Sequence, residues 1–229
     1  MYQVKPIYGK HYAPGYTGFS MHDSAGLSKG ISWFQKIEEV VSFVEEIRKQ
    51  IYSPRFEDTL LKQPPSHVFK VIDEFSGIES SDKGVEYFNL QERIDDPHLR
   101  IVFREPQRLD DTATRQMFRY AAKLEREEKP YDYTGLVGAA IRILSPLNKI
   151  LPILNKLPNP LSFNGLYCSA FDADCNKHTD QYRREKIYRQ YHVTRIDPVI
   201  WWYLFPWKPL KIEMPSGIVG ITMPTKGGE

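Results

Sequence analysis

The chain has 229 residues, of which 41% are hydrophobic and 26% are charged, and its formal net charge is +2. This balance is typical of a folded globular protein, and it lacks the basic footprint of nucleic-acid binders, which we therefore exclude as a class. Two cysteines are too few for a disulfide framework, so the thiols are expected to be reduced or kept for chemistry.

The N-terminal segment lacks the charged start and apolar run of a signal peptide. No apolar stretch reaches the ~20 residues that a membrane-spanning helix needs. We therefore expect a protein that is cytoplasmic as made.

The first half of the chain predicts one strand, one helix and then a group of strands. Residues 17–21 are expected to form a short strand, and an apolar stripe at steps of three and four predicts a helix over residues 33–51. Four short runs rich in β-branched and aromatic residues follow, and they suggest an antiparallel sheet. They cover residues 66–73, 77–81, 84–90 and 99–105.

The second half predicts two more helices. Residues 111–129 carry an apolar stripe that includes Met117 and Leu124, with Asp110 or Asp111 as the N-cap and Pro130 as the stop. Residues 166–177 predict a helix with Cys168 in its first turn, after the turn signal Asn164-Gly165. We therefore expect one α+β domain over residues 1–229, with an antiparallel sheet or small barrel packed against helices.

Two apolar segments of the second half need separate interpretation. Residues 136–161 contain four prolines, so this apolar insertion predicts two short helices or a lid instead of one helix. The C-terminal tail contains a dense aromatic run over residues 200–207. It is either core or a surface through which Trp201, Trp202, Phe205 and Trp207 contact lipid or another protein.

Cys168 is the candidate nucleophile. The free N–H groups and the dipole of a helix N-terminus favour a thiolate, and the same N–H groups can hold an oxyanion. The alternative is that Cys168 is a small buried core residue. A metal site that joins Cys168, Cys175 and His178 lacks a fourth ligand and paired spacing, so we predict no metal and no cofactor.

His67 and Glu79 are the candidate partners of this thiol. His67 lies in a convincing strand, and Glu79 lies in the strand that would form a hairpin with it. If residues 72–74 form a three-residue loop, Val71 pairs with Phe75 and His67 pairs directly with Glu79, with Cβ atoms ~5 Å apart. A carboxylate there would hold the imidazole tautomer, whereas a two-residue loop would turn Glu79 to the other face. A structural histidine and a solvated glutamate are the alternatives.

An ordered set of short motifs resembles the permuted papain-like amidases and cysteine peptidases of the NlpC-like superfamily, the YiiX and YaeF type. The set comprises Ser66-His67, Glu79, Gly84-Val85, Leu90, Tyr131-Asp132 and Tyr167-Cys168-Ser169. The resemblance implies a circularly permuted papain-like fold, in which the histidine strand precedes the cysteine helix. The apolar insertion and Ala170-Phe171 after the Cys-Ser pair depart from the family pattern and leave the substrate open.

The resemblance also implies a function and site roles. Cys168 would be the nucleophile, His67 the base and Glu79 the orienting residue, while Tyr131, Tyr167 and Ser169 would contact the substrate. The expected activity is that of a thiol hydrolase or acyltransferase on amide bonds of peptidoglycan peptides or acylated amines. The alternative is a catalytically silent structural or binding protein on the same fold, for example a virion-associated component of a phage particle.

Overall fold

A computed structural model describes residues 5–22, 64–135, 155–162, 165–214 and 217–221. The helix predicted over residues 33–51, the turn residue Asn164 and most of the insertion at 136–161 lie outside this described part. Among the described residues, no helix is long and apolar enough to cross a membrane.

A five-stranded antiparallel sheet forms the centre of the described structure. Its strands are β1 (Thr17–His22), β2 (His67–Val71), β3 (Ser76–Ser81), β4 (Gly84–Asn89) and β5 (Leu99–Arg104). The predicted strands are therefore confirmed, and their order in the sheet is β4-β3-β2-β1-β5. Because β1 lies between β2 and β5, the four later strands do not form a simple meander.

Helices pack against this sheet, and the fold class is α+β as predicted. They are α1 (Leu90–Asp95), α2 (Asp111–Arg126), α3 (Cys168–Lys177), α4 (Lys186–Gln190) and α5 (Pro198–Leu204), with a 3-10 turn at Val193–Arg195. A hairpin of β6 (Leu210–Met214) and β7 (Gly217–Ile221) follows. The side chain of Asp110 caps α2 through the Ala113 amide at 2.7 Å, and the apolar stripe of α2 is buried as predicted.

The β2–β3 hairpin has a different register from the predicted one. Asp73 Oδ1 accepts hydrogen bonds from the amides of Phe75 and Ser76, both at 2.8 Å, so the loop starts one residue later than expected. Val71 lies opposite Gly77, not Phe75, and the direct pairing of His67 with Glu79 is therefore wrong. The shift is two residues, and an even shift keeps Glu79 on the His67 face as a diagonal neighbour.

The two faces of the sheet carry different side chains into two cores. Phe69, Val71 and Phe103 pack on one face with Tyr12 and Leu90. The Phe69 ring lies over Gly18, where a Cβ atom would be 2.1 Å from the ring, so β1 needs glycine at this position. The other face carries Phe19, Val68 and Val102 against the aromatic residues of α5 and the segment that follows it.

Four aromatic residues of the run at 200–207 are core, whereas Tyr203 and Leu204 are exposed. Trp201, Trp202, Phe205 and Trp207 are between 0% and 6% exposed. The Trp201 indole donates to Asp172 at 2.7 Å, and the Trp207 indole donates to the Trp201 carbonyl at 3.0 Å. Burial removes these rings from solvent, so the prediction of a lipid or protein contact through them is wrong.

Candidate active site

Cys168 is the first residue of α3, and two hydrogen bonds join the segment before it to β3 and to the loop that follows α2. The Ser80 hydroxyl donates to the Leu166 carbonyl at 2.5 Å, and the Leu166 amide donates to the Pro130 carbonyl at 3.1 Å. A Cβ atom at Gly165 would lie 2.7 Å from the Pro130 carbonyl oxygen, so this close approach needs glycine. Since β2 and β3 are antiparallel, Ser80 lies at the end of the sheet where His67 begins β2.

His67 interacts with both of its predicted partners. Its Nε2 atom lies 2.6 Å from Glu79 Oε2, and its ring also interacts with the side chain of Cys168. Because Nε2 faces the carboxylate, Nδ1 is the ring nitrogen available to the thiol. The structure thus brings together the three residues that the sequence singled out for a triad.

Burial and charge act in opposite directions on His67. Partial burial disfavours the imidazolium, but the charges of Glu79 and Cys168 and the hydrogen bonds to both outweigh it and raise the pKa of His67 from 6.5 to about 10. The His67 side chain is 27% exposed, so it is the part of the triad that solvent reaches. Its proton is therefore held by neighbouring charges while the ring stays accessible.

Glu79 is a buried carboxylate with two cationic neighbours. Its side chain is 2% exposed, and this burial by itself favours the neutral form. The charges and hydrogen bonds of His67 and Arg93 outweigh the burial and lower the pKa of Glu79 from 4.5 to about 2. Glu79 is therefore an anion throughout the neutral range.

Arg93 of α1 is the second neighbour, and the sequence interpretation missed it. Its Nη1 atom donates to Glu79 Oε2 at 2.5 Å, and its Nη2 atom donates to Oε1, so the guanidinium grips both oxygens. The guanidinium also lies over the Phe88 ring, 3.9 Å from the centroid. Nothing in the local pattern pointed to this role, because Arg93 lies between two predicted strands.

A second charged network lies beneath α3, and it too was missed. Lys70 Nζ is 2.9 Å from Asp172 Oδ1, and both side chains are fully buried. The Thr17 hydroxyl joins them, since it accepts from Lys70 at 2.8 Å and donates to Asp172 at 2.9 Å. Lys70 follows His67 by three positions and Asp172 follows Cys168 by four, so this pair links the histidine strand to the cysteine helix.

The three predicted substrate contacts have different surroundings. Tyr167 and Ser169 are fully buried, and the Ser169 hydroxyl donates to the Ile196 carbonyl at 2.7 Å. These are core positions, and they give no support to a substrate contact by either side chain. Tyr131 is half-buried with its ring 4.7 Å from that of Tyr133, and its role stays a prediction.

Asp132, the second residue of the Tyr-Asp motif, holds the backbone that precedes α3. Its carboxylate accepts from the Gly135 amide at 2.7 Å, from the Thr134 hydroxyl at 3.0 Å and from the Ser162 hydroxyl. Asp132 is 3% exposed, so its role in this structure is to order a turn.

Within the described ranges, no three His, Cys, Asp or Glu side chains form a group that could hold a metal ion. Comparisons of the whole chain with protein-family models, with curated proteins and with solved structures found no match.

Proposed function

We propose that the protein is a cysteine hydrolase of the amidase or peptidase type that acts through Cys168, His67 and Glu79. The observation that carries the proposal is that one imidazole contacts both the thiol and a buried carboxylate. A thiol, a base and a group that orients the base are the three roles of a catalytic triad. A structural histidine would need only one of these partners.

In the proposed reaction the proton of the Cys168 thiol already rests on His67, so the site starts as a thiolate beside an imidazolium. The thiolate attacks an amide carbonyl carbon, and backbone N–H groups in the first turn of α3 stabilise the oxyanion. The side chain of the N-cap residue Tyr167 makes no capping hydrogen bond to these groups. The C–N bond then breaks, and His67 gives its proton to the leaving amine.

The resulting thioester is resolved by a second attack. His67 takes a proton from water, the hydroxide oxygen bonds to the acyl carbon, and the C–S bond breaks to restore the thiol. An incoming amine or alcohol in place of water would make the same site an acyltransferase.

The proposed fold is the circularly permuted papain-like one. Its support is the order of the elements, since the histidine strand β2 precedes the cysteine helix α3 in the chain. The α+β layout, with α3 packed against β2 and β3, agrees with that proposal. The proposed substrate class, amide bonds of peptidoglycan peptides or of acylated amines, rests on the resemblance of the motifs.

The test compares the two cysteines of the chain. Cys168 is 1% exposed and Cys175 is 0% exposed, so a difference in their rates of labelling would report chemistry and not access. We expect iodoacetamide to alkylate Cys168 about 10²-fold faster than Cys175, measured by peptide mass spectrometry. In His67→Ala the Cys168 rate should fall by about 10²-fold, because the proton acceptor is gone.

Equal and slow labelling of both thiols in the folded wild-type chain would refute the proposed enzymatic function. The alternative, a catalytically silent structural or binding protein, would then remain. Once Cys168 is shown to react, a panel of muropeptides and acyl-lysine compounds, with Cys168→Ala as the control, identifies the substrate class. Release of amine by the wild type alone supports an amidase.

A further inference from the structure

Glu79 binds a second cation, Arg93, in addition to His67. Arg93 binds both carboxylate oxygens of Glu79, and one of these oxygens, Oε2, is also the one that meets His67 Nε2. The same carboxylate therefore has two cations on it, one of which belongs to the proposed triad.

Arg93 is itself held in place. Its guanidinium packs on the Phe88 ring at 3.9 Å, and the Phe69 ring lies 5.8 Å from it. A planar guanidinium that is stacked on an aromatic ring and bound at both ends of a carboxylate fixes the plane of that carboxylate. A lysine would supply the charge without fixing the plane.

We propose that Arg93 is a positioning residue of the site, which holds Glu79 ionised and fixes the plane in which Glu79 meets the His67 ring. This inference rests on the proposed function and deepens it. Arg93 would not touch the substrate, and it would act only through Glu79.

The charges that face this group come from four elements. His67 of β2 and Arg93 of α1 contact Glu79, and Cys168 of α3 contacts His67. Glu86 of β4 lies directly opposite Glu79 in the sheet. Glu86 has its own partners, since it accepts from the Ser81 hydroxyl and lies 4.0 Å from Lys83 Nζ.

The local charge balance gives the direction of the expected effect. Without Arg93, the buried Glu79 would keep one cationic neighbour and face Glu86 across the strands, so its carboxyl would take up a proton at a higher pH. Once Glu79 is neutral, His67 loses its counter-ion, and the thiolate–imidazolium pair is no longer stabilised. The rate at which Cys168 is alkylated falls towards acid pH, and this part of the pH profile is its acidic limb. The acidic limb would then move to higher pH.

The experiment measures the rate of iodoacetamide labelling of Cys168 from acid to alkaline pH in folded protein. In Arg93→Met we expect the acidic limb to move up by ~1 pH unit or more. Arg93→Lys should restore part of the shift, because it keeps the charge but not the bidentate geometry. Arg108→Met, which removes an arginine–glutamate pair made with Glu185 and not with a triad residue, is the matched control and should leave the limb unchanged.

Each result bears on the inference. A limb that stays at the wild-type pH in folded Arg93→Met overturns the inference and leaves the proposed function standing. If Arg93→Met does not fold, an unshifted limb in Arg93→Lys combined with an unchanged rate overturns it as well. Wild-type Cys168 that labels no faster than Cys175 overturns both the inference and the proposed function.

Discussion

The two cysteines of the chain lie on one helix and have different surroundings. Cys175 follows Cys168 by seven positions, which is about two helical turns, so both side chains leave α3 on nearly the same side. Both thiols are free and buried. Cys168 begins the helix and meets His67, whereas Cys175 lies in the last turn of the helix.

Burial dominates at Cys175, and it raises the pKa of this thiol well above its usual value. The carboxylates of Asp172 and Asp174 act in the same direction, and Lys70 opposes them. At the start of the helix, the thiol instead has an imidazole as its partner and the first N–H groups of α3 nearby. Both thiols are buried, so it is their partners that distinguish the two positions.

The largest expected effect separates the two thiols by turnover. With p-nitrophenyl acetate as an acyl donor, Cys168→Ala should lower the enzymatic rate by about 10⁴-fold, because the nucleophile is lost. Cys175→Ala should keep the wild-type rate within about twofold, because that thiol takes no part in the reaction. Stopped-flow release of nitrophenol measures both, and a burst is expected only where Cys168 is present.

The reverse result, loss of turnover in Cys175→Ala while Cys168→Ala stays active, would make Cys175 the nucleophile. The triad geometry would then be incidental.

The next effect concerns the ionisation of the group that distinguishes Cys168. His67 should keep its proton up to a pH of about 10, because Glu79 and Cys168 favour the imidazolium over the opposing effect of burial. His192 is the internal control, since burial lowers its pKa below 6.5. NMR titration of the histidine ring signals measures both, and in Cys168→Ala the pKa of His67 should fall. A wild-type His67 that titrates at 6.5 or below contradicts the ion pair between His67 and Glu79.

The pKa shifts of His67 and Glu79 also set the pH range in which the His67–Glu79 pair stabilises the fold. The pKa of His67 is raised from 6.5 to about 10, so its contribution is complete below pH 6.5 and is lost as the pH rises through about 10. The pKa of Glu79 is lowered from 4.5 to about 2, so its contribution is complete above pH 4.5 and is lost as the pH falls towards 2. The pair therefore stabilises most between pH 4.5 and pH 6.5.

Local patterns predicted most of the elements that carry the site. Alternating apolar residues and turn residues located β2, β3, β4 and β5, and an apolar stripe with an Asp cap located α2. The Asn164-Gly165 turn signal placed Cys168 at a helix start, where the structure has it. These features depend on neighbours within a few positions, which is the range that a single sequence reports.

Features set by distant neighbours were not predictable in the same way. The position of β1 between β2 and β5 depends on pairing partners far along the chain. The hairpin loop moved by one residue because the Asp73 carboxylate caps two amides, a choice that alternation does not encode. Lys70 and Arg93 look like solvent-facing charges until the fold shows Asp172 beside one and Glu79 beside the other.

The smallest expected effect concerns the buried ion pair between Lys70 of β2 and Asp172 of α3. Lys70→Met should lower the free energy of unfolding by about 3–5 kcal/mol, because it leaves the Asp172 charge buried without its cation. Urea denaturation, followed by the fluorescence of the buried tryptophans, measures the change.

Lys83→Met is the matched control, because Lys83 is 75% exposed and lies 4.0 Å from Glu86. Its loss should change stability by less than about 0.5 kcal/mol, since water screens an exposed pair. If Lys70→Met lowers the free energy of unfolding by no more than this control, the Lys70–Asp172 pair does not stabilise the packing of α3 against β2. The Cys168–His67 contact would then depend on apolar packing and on the Ser80–Leu166 hydrogen bond, and Ser80→Ala would become the variant that separates the thiol from its base.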